Sequence, residues 1–133
     1  LDMEDATFRS VYLPVVRGEE PRALAVFDFA DSSSIIGQRE SSHTADQALY
    51  MLNNPFVIQQ SRDMAKRINR ARTGEKDRVT MASNLAYSRN PSNDELLETE
   101  TFLSSFMNSS DSSEGLAAVC QSLFASAEFR FVN

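Results

Sequence analysis

The spacing of apolar residues predicts helices along most of this chain. Apolar or small residues recur every three or four positions in the stretches 45–52, 57–71, 79–86, 96–107 and 116–124. This spacing places them on one face of a helix and leaves the opposite face polar. The shorter stretch 23–29 is apolar nearly all round, which predicts a short helix that is buried on several sides.

Two of the predicted helices meet at a tight elbow. Thr44 and Gln47 form the pattern of a capping box, whose two side chains satisfy free backbone N–H groups at a helix N-terminus. Pro55 ends this helix, because the residue before a proline avoids the helical region. Pro55 also suits the first position of a following helix, with Asn54 as its cap. The sequence therefore predicts consecutive helices with almost no linker.

Further residues predict where the other helices begin and end, and which conformation the two ends of the chain adopt. Ser92 and Glu95 form a second capping box, and Gly74 is expected to end the long helix after the elbow. Residues 8–16 are rich in β-branched and aromatic residues and read as extended, while residues 129–132 alternate apolar and polar. These two ends are candidates for a short strand pair. The predicted fold is all-α, a compact bundle of about six helices with extended ends.

Length, charge and cysteine content narrow the class of protein. The 133 residues suffice for one helical domain, residues 1–133, and the chain starts with Leu1, so we expect a fragment of a larger protein. The net charge of −6 argues against nucleic-acid binding. No apolar run is long enough to insert into a membrane. The single cysteine, Cys120, excludes an internal disulfide, and its place in an apolar stripe predicts a buried, inert thiol.

Residues 30–43 form an unusually long polar connection, which is typical of a functional or mobile loop. His43 lies at its end. One interpretation makes His43 a metal ligand or general base together with Asp28, Asp31 or Asp46. The favoured interpretation is an ordinary loop or cap histidine, because no second ligand follows at a fixed helical spacing.

Asp28 and Asp31 stand three residues apart at a predicted helix end, where the dipole disfavours carboxylates. Arg39 is the expected compensating partner, through a bidentate contact that holds the loop against the helix. This structural interpretation is preferred to a catalytic or metal-binding one, since no further acid, base or nucleophile accompanies the pair. If the loop does bind a ligand, the candidate residues are Asp28, Asp31, Arg39, His43 and Gln47.

A basic stripe follows the long helix, at Arg62, Lys66 and Arg70. Anion binding is one interpretation, but there are no interleaved aromatic residues for base stacking. A solvated face opposed by the acidic residues of stretch 94–100 is preferred. Haem-attachment, phosphate-loop and nucleophile-elbow motifs are absent from the sequence, so neither a cofactor nor a catalytic residue is predicted.

Several blocks resemble the planctomycete domain of unknown function fifteen fifty-three. In chain order, they are Arg9-Ser-Val-Tyr-Leu-Pro14, Leu24-Ala-Val-Phe-Asp-Phe-Ala-Asp31, Gln38-Arg39, Gln47-Ala-Leu-Tyr-Met-Leu-Asn-Asn-Pro-Phe-Val57, Ala86-Tyr-Ser-Arg-Asn-Pro-Ser-Asn-Asp-Glu95, Cys120-Gln-Ser-Leu-Phe124 and Glu128-Phe-Arg-Phe-Val132. Two positions depart from the family pattern. Ala45-Asp46 replaces a usual proline, and Gly115-Leu-Ala-Ala118 stands where an aromatic is common.

The resemblance implies the C-terminal module of a large exported bacterial protein, often with a cytochrome-c-like region near the N-terminus of the parent. It therefore implies a periplasmic, cell-surface or secreted location, and it carries over no catalytic residue. Our leading hypothesis is a non-catalytic helical module that contacts other domains of the same parent chain or a protein partner. The alternatives are a hydrolytic or saccharide-handling site completed by another domain, and a docking face for a haem domain.

Overall fold

The structure, a computed structural model, describes residues 8–35, 37–38, 42–107 and 112–131. A 3-10 turn at Ser10–Tyr12 comes first, and the α-helices that follow within these ranges are α1 Arg22–Val26, α2 Ala45–Asn53, α3 Pro55–Ala71, α4 Glu75–Tyr87, α5 Asn93–Met107, α6 Ser112–Ala125 and α7 Ala127–Arg130. The described residues contain no strand, only an isolated antiparallel bridge between Val16 and Glu19. The predicted all-α class is confirmed. None of the helices in the described ranges combines the length and the apolarity of a membrane span.

The elbow between α2 and α3 forms as predicted. Thr44 Oγ1 accepts the N–H of Gln47 at 3.4 Å, and Asn54 Oδ1 accepts the N–H of Phe56 at 2.9 Å. Asn54 is both the C-cap of α2 and the N-cap of α3, and Pro55 lies in the first turn of α3. The second capping box forms in full, because Ser92 and Glu95 exchange hydrogen bonds between backbone N–H groups and side-chain oxygens.

Helix α6 lies at the centre of the bundle. It packs along α3 and also contacts α2, α4, α5 and α7. The buried residues of the central cluster come from α3, α4, α5 and α6, and they are Ala65, Ile68, Val79, Ala82, Leu103, Leu116, Ala117, Val119 and Cys120. Cys120 is fully buried, and desolvation raises the pKa of its thiol to about 12. The predicted buried, unreactive thiol is confirmed.

The expected strand pair between the chain ends is wrong. Residues 10–12 form a 3-10 turn, and residues 127–130 form α7. The serine at position 126 explains the second difference: its hydroxyl accepts the N–H of Phe129 at 3.2 Å and starts a helical turn. The alternation in residues 129–132 covers only four positions, which is too few to distinguish a helical turn from a strand in the sequence. Val132, the last residue of the proposed strand, lies outside the described residues.

Two helix boundaries also differ from the prediction. Helix α1 ends at Val26, because Phe27 leaves the helical region and Asp28 adopts a left-handed backbone with φ of 56°. The predicted burial of this helix on several sides is wrong, since none of its residues is buried. Helix α3 ends at Ala71, and Gly74 instead occupies the cap position before α4. The backbone is already extended at Arg72, two residues before the predicted end.

The basic stripe on α3 faces solvent as predicted, but the prediction that the acidic residues of stretch 94–100 oppose it is wrong. Arg62 pairs with Glu114 of α6 at 3.3 Å, and Lys66 pairs with Asp63 of its own helix at 3.1 Å. These four side chains remain about half exposed, so each pair contributes little to stability. Glu95, one of the acids expected opposite the stripe, contacts a different arginine, described below.

Gly115 allows α6 to approach α5 closely. A Cβ atom at this position would lie 3.0 Å from Cβ and 3.2 Å from Cγ of Phe106. Gly115→Val is therefore expected to lower the free energy of unfolding by about 1–3 kcal/mol through overpacking, as measured by urea denaturation. Gly37→Val is the matched control, because a Cβ there would meet nothing within 4 Å. An equal effect of both substitutions would contradict this explanation.

Candidate functional site

Asp28 ties the long loop to the start of the helical bundle. Its left-handed backbone, uncommon outside glycine but tolerated by aspartate, turns the chain sharply after α1. The carboxylate accepts the backbone N–H of Ser42 at 2.7 Å and the Ser42 hydroxyl at 2.7 and 2.9 Å. These bonds join residues that are fourteen positions apart, so the two ends of the loop are fastened together.

Gln47 completes what we call the Asp28 cluster, which consists of Asp28, Ser42 and Gln47. Gln47 is 2% exposed and lies in the first turn of α2. Its side-chain amide donates to Asp28 Oδ2 at 3.5 Å and to Ser42 Oγ at 3.4 Å. Only the Thr44 half of the predicted capping box forms, because the Gln47 side-chain amide is directed towards the loop. The cluster is a structural junction between α1, the loop and α2.

The structure places the other candidate residues apart from this cluster. Asp31 is exposed and accepts the Ser33 N–H at 2.7 Å together with the hydroxyls of Ser33 and Ser34. These bonds, those from Ser33 above all, lower the pKa of Asp31 to about 2. Asp31 therefore stabilises its own turn. Arg39, the expected partner of both carboxylates, lies outside the described residues, so the predicted Asp28–Arg39 contact stays a prediction.

His43 is exposed and packs edge-on against Phe131, with 4.1 Å between ring centroids. This contact brings the end of the loop beside the end of the chain. In the part of the chain that the structure describes, no three His, Cys, Asp or Glu residues are arranged to hold a metal ion. Of the five candidates, the structure brings Asp28 and Gln47 together and places Asp31 and His43 in separate contacts.

Sequence reasoning missed Ser42, the residue that Asp28 contacts. It belongs to a polar stretch with several serines, and nothing in the sequence distinguishes it from its neighbours. Both carboxylate oxygens of Asp28 accept hydrogen bonds from Ser42. In this structure both oxygens are directed at the backbone N–H and the hydroxyl of Ser42, fourteen positions further along the chain. The cluster is therefore arranged for holding the loop.

A second polar group that the sequence did not reveal centres on Arg89, between α4 and α5. Its guanidinium donates to both oxygens of Glu95 at 2.9 Å and to both oxygens of Glu128 at 2.7 Å. The remaining donor binds the carbonyl of Asn90 at 3.0 Å, so all five N–H groups are used. The same side chain lies over the Tyr87 ring, 5.2 Å from its centroid. Arg89 thus fastens α7 to the start of α5.

The contacts of Arg89 predict how strongly the carboxyl groups of Glu95 and Glu128 bind protons. Hydrogen bonds from Arg89, and then from the Ser92 N–H, lower the pKa of Glu95 from 4.5 to about 2, and Arg89 also lowers the pKa of Glu128. A depressed carboxyl pKa contributes stability that is complete above the ordinary value of 4.5 and is lost as the pH falls towards 2. In Arg89→Gln, we expect the Glu95 midpoint in an NMR titration to move back towards 4.5.

Asp31 is the internal control for that titration. Its pKa of about 2 depends on Ser33 and Ser34, not on Arg89, so its midpoint should stay unchanged in the variant. A Glu95 midpoint that does not rise in Arg89→Gln would show that Arg89 does not hold the carboxylate in solution.

An apolar pocket of about 430 Å³ lies where α1, the elbow, the end of α6 and α7 meet. Five aromatic rings line it, those of Phe27, Tyr50, Phe56, Phe124 and Phe129. Phe27 and Tyr50 form an edge-to-face pair with 5.5 Å between centroids. Ser10 and Gln60 contribute the polar part of the wall, and none of the described lining residues carries a charge. The volume falls within the range of small-molecule and side-chain pockets.

The comparisons with known proteins give one finding. A family profile described as "PSD1: Protein of unknown function (DUF1553)" matches residues 2–103, which is more than half of the chain. A search of curated proteins and a search of solved structures gave no match.

Proposed function

The chain belongs to the PSD1 family of proteins of unknown function, and from this premise we propose that it is a non-catalytic helical interaction module of a larger protein. The observation that carries the proposal is the use of the Asp28 carboxylate to hold the backbone N–H and the hydroxyl of Ser42. Among the described candidates, Asp28 and Gln47 hold the loop, and Asp31 holds its own turn. The module then acts through its surface.

The apolar surface supports this proposal. Large apolar side chains stay exposed in the segment 8–16, among them Val11 at 72%, Tyr12 at 73% and Phe8 at 52%. Leu49 and Leu52 of α2 are exposed by 55% and 51%. Single exposed apolar residues are ordinary, but five large ones within nine positions, as in the segment 8–16, are typical of a surface that another protein covers. We expect the covering surface to belong to other domains of the same parent chain or to a separate protein partner.

The location of the parent protein is part of the proposal. From the resemblance to planctomycete proteins, we place the module in a large exported protein that is periplasmic, on the cell surface or secreted. Fractionation of the source cells, followed by detection with an antibody against residues 1–133, tests this placement. Recovery of the parent in the cytoplasmic fraction would contradict it.

The alternative is a hydrolytic or saccharide-handling site completed by another domain. The left-handed backbone of Asp28, with φ of 56°, is the observation in its favour, because strained residues cluster at functional sites. In that case Asp28→Asn, which keeps the size and the backbone preference of the residue, should abolish the activity of the full-length parent and leave its stability unchanged. A stability loss without an activity loss supports the interaction module.

Two binding measurements test the proposed function directly. Thermal melting of residues 1–133 with Ca²⁺, Zn²⁺ and a panel of saccharides should show no shift. Calorimetric titration with the remainder of the parent, produced as a separate chain, should show saturable binding. A large melting shift with one metal or saccharide, together with no binding to the remainder of the parent, would overturn the proposal in favour of the alternative.

A further inference from the structure

Helix α7 depends on contacts with the rest of the bundle for its shape. It has only four residues, Ala127–Arg130, and none of them is buried. A single helical turn is unstable on its own in water, because it orders several residues for very few hydrogen bonds. Among the helices in the described ranges, α7 contacts α4 and α6. A small number of individual contacts therefore keeps α7 both folded and in place.

The end of α4 holds α7 through two side chains. Arg89 donates to both carboxylate oxygens of Glu128 at 2.7 Å. The Tyr87 hydroxyl donates at 2.8 Å to Oγ of Ser126, the cap of α7. Exposed ion pairs are weak on average, but a guanidinium that binds a carboxylate through two parallel hydrogen bonds is among the strong ones. These contacts fasten the first turn of α7.

The same short helix forms one wall of the aromatic pocket. The Phe129 ring packs against the ring of Phe124 in α6, with 5.0 Å between centroids, and Phe129 is 38% exposed. The walls from α2 and α3 are anchored differently, because they include the buried residues Met51 and Val57. The pocket thus combines walls that are buried in the bundle with one wall that a few surface contacts hold.

We propose that α7 is a movable wall of the aromatic pocket, which Arg89 and Tyr87 hold in the closed position. The elements of a protein that move are drawn from its regions of low local stability, where few apolar contacts are buried. When α7 detaches, Phe129 leaves the pocket, which then loses one of its five rings. The shape of the pocket is thereby controlled by two side chains that are not among its described lining residues.

An uncharged aromatic molecule in the pocket reports on this motion. None of the described lining residues carries a charge, so the pocket favours such a molecule over an ion. A molecule that packs against Phe129 binds the closed state more tightly than the open state and therefore shifts α7 towards the closed state. By linkage, detachment of α7 weakens the binding of that molecule. N-phenylnaphthylamine, an uncharged aromatic dye that fluoresces in apolar surroundings, is a suitable probe.

Native-state hydrogen exchange of residues 1–133 tests the hold on α7. The amides of Arg130 and Phe131 donate to carbonyls one helical turn earlier, so they exchange when α7 opens. Glu128→Gln removes the charge that Arg89 binds, and it should raise the exchange rate of both amides at least about threefold. Tyr87→Phe, which removes only the hydroxyl, should raise both rates as well.

Glu114→Gln is the matched control. Glu114 and Glu128 each lie in the first turn of a helix, pair with an arginine and expose nearly half of their side chains. Glu114 pairs with Arg62 of α3, so its replacement should leave the exchange of the Arg130 and Phe131 amides unchanged. An equal effect of the two substitutions, or no effect of Glu128→Gln, would overturn the proposal.

Binding of the dye tests the movable wall itself. A fluorescence titration should show saturable binding to the wild-type protein, and saturating dye should slow the exchange of the Arg130 and Phe131 amides at least about threefold. The Arg78 amide is the control, because its hydrogen bond to Gly74 belongs to the start of α4, which contributes nothing to the described pocket lining. A dye that does not bind, or that binds without slowing exchange in α7 more than at Arg78, would contradict the proposal.

Discussion

Replacing Ile68 by alanine is expected to lower the free energy of unfolding by about 2–5 kcal/mol. Ile68 lies on α3, has no exposed surface and belongs to the central cluster against which α6 packs. The substitution removes buried methylene and methyl groups and leaves a cavity that the surrounding helices fill only in part. Urea denaturation followed by circular dichroism measures the change, provided that the slope of the transition stays the same.

Ile35→Ala is the control for this prediction, because it removes the same atoms from a fully exposed position. Its effect should stay within about 0.5 kcal/mol. A loss below about 1 kcal/mol for Ile68→Ala would mean that α3 and α6 do not pack as described.

Asp28→Ala is expected to lower the free energy of unfolding by about 2–4 kcal/mol, the sum of two effects. Removal of the carboxylate leaves the half-buried N–H of Ser42 without its acceptor and takes away one of the two acceptors of the buried Gln47 amide, at a cost of about 1–3 kcal/mol. Alanine must also adopt the left-handed backbone with φ of 56°, which costs about 1 kcal/mol more. Thermal and urea denaturation give the total.

Two further substitutions separate these effects. Asp28→Gly removes the carboxylate but accepts the left-handed backbone, so it should cost less than Asp28→Ala. Asp28→Asn keeps one acceptor oxygen and a residue that tolerates this backbone, so it should cost least. If all three substitutions left stability unchanged, the Asp28 cluster would have no structural role, and the hydrolytic or saccharide-handling alternative would gain support.

The parts of the fold that the sequence predicted are those with local causes. The Thr44 and Ser92 caps, the Asn54–Pro55 elbow and the apolar face of α3 each depend on residues within a few positions of one another. Apolar spacing also predicted a helix over 116–124 with one apolar face. It did not predict that α6 lies at the centre of the bundle, where it contacts α2, α3, α4, α5 and α7.

The parts that the sequence did not predict depend on contacts between distant residues. Ser42 meets Asp28 across fourteen positions, and Arg89 meets Glu128 across thirty-nine. Helix α7 carries a Ser126 cap and a contact with the distant Arg89, and the four-residue pattern shows neither. The aromatic pocket combines side chains from both ends of the described chain and from the elbow. Local periodicity carries no information on such combinations.

Native-state hydrogen exchange at the Ser42 amide tests the central claim most directly. If the Asp28 carboxylate holds that N–H at 2.7 Å, the amide exchanges far more slowly than in an unstructured peptide, and the protection disappears in Asp28→Ala but persists in part in Asp28→Asn. A Ser42 amide that exchanges in the wild-type protein as fast as in an unstructured peptide would contradict the claim that these polar residues fasten the loop.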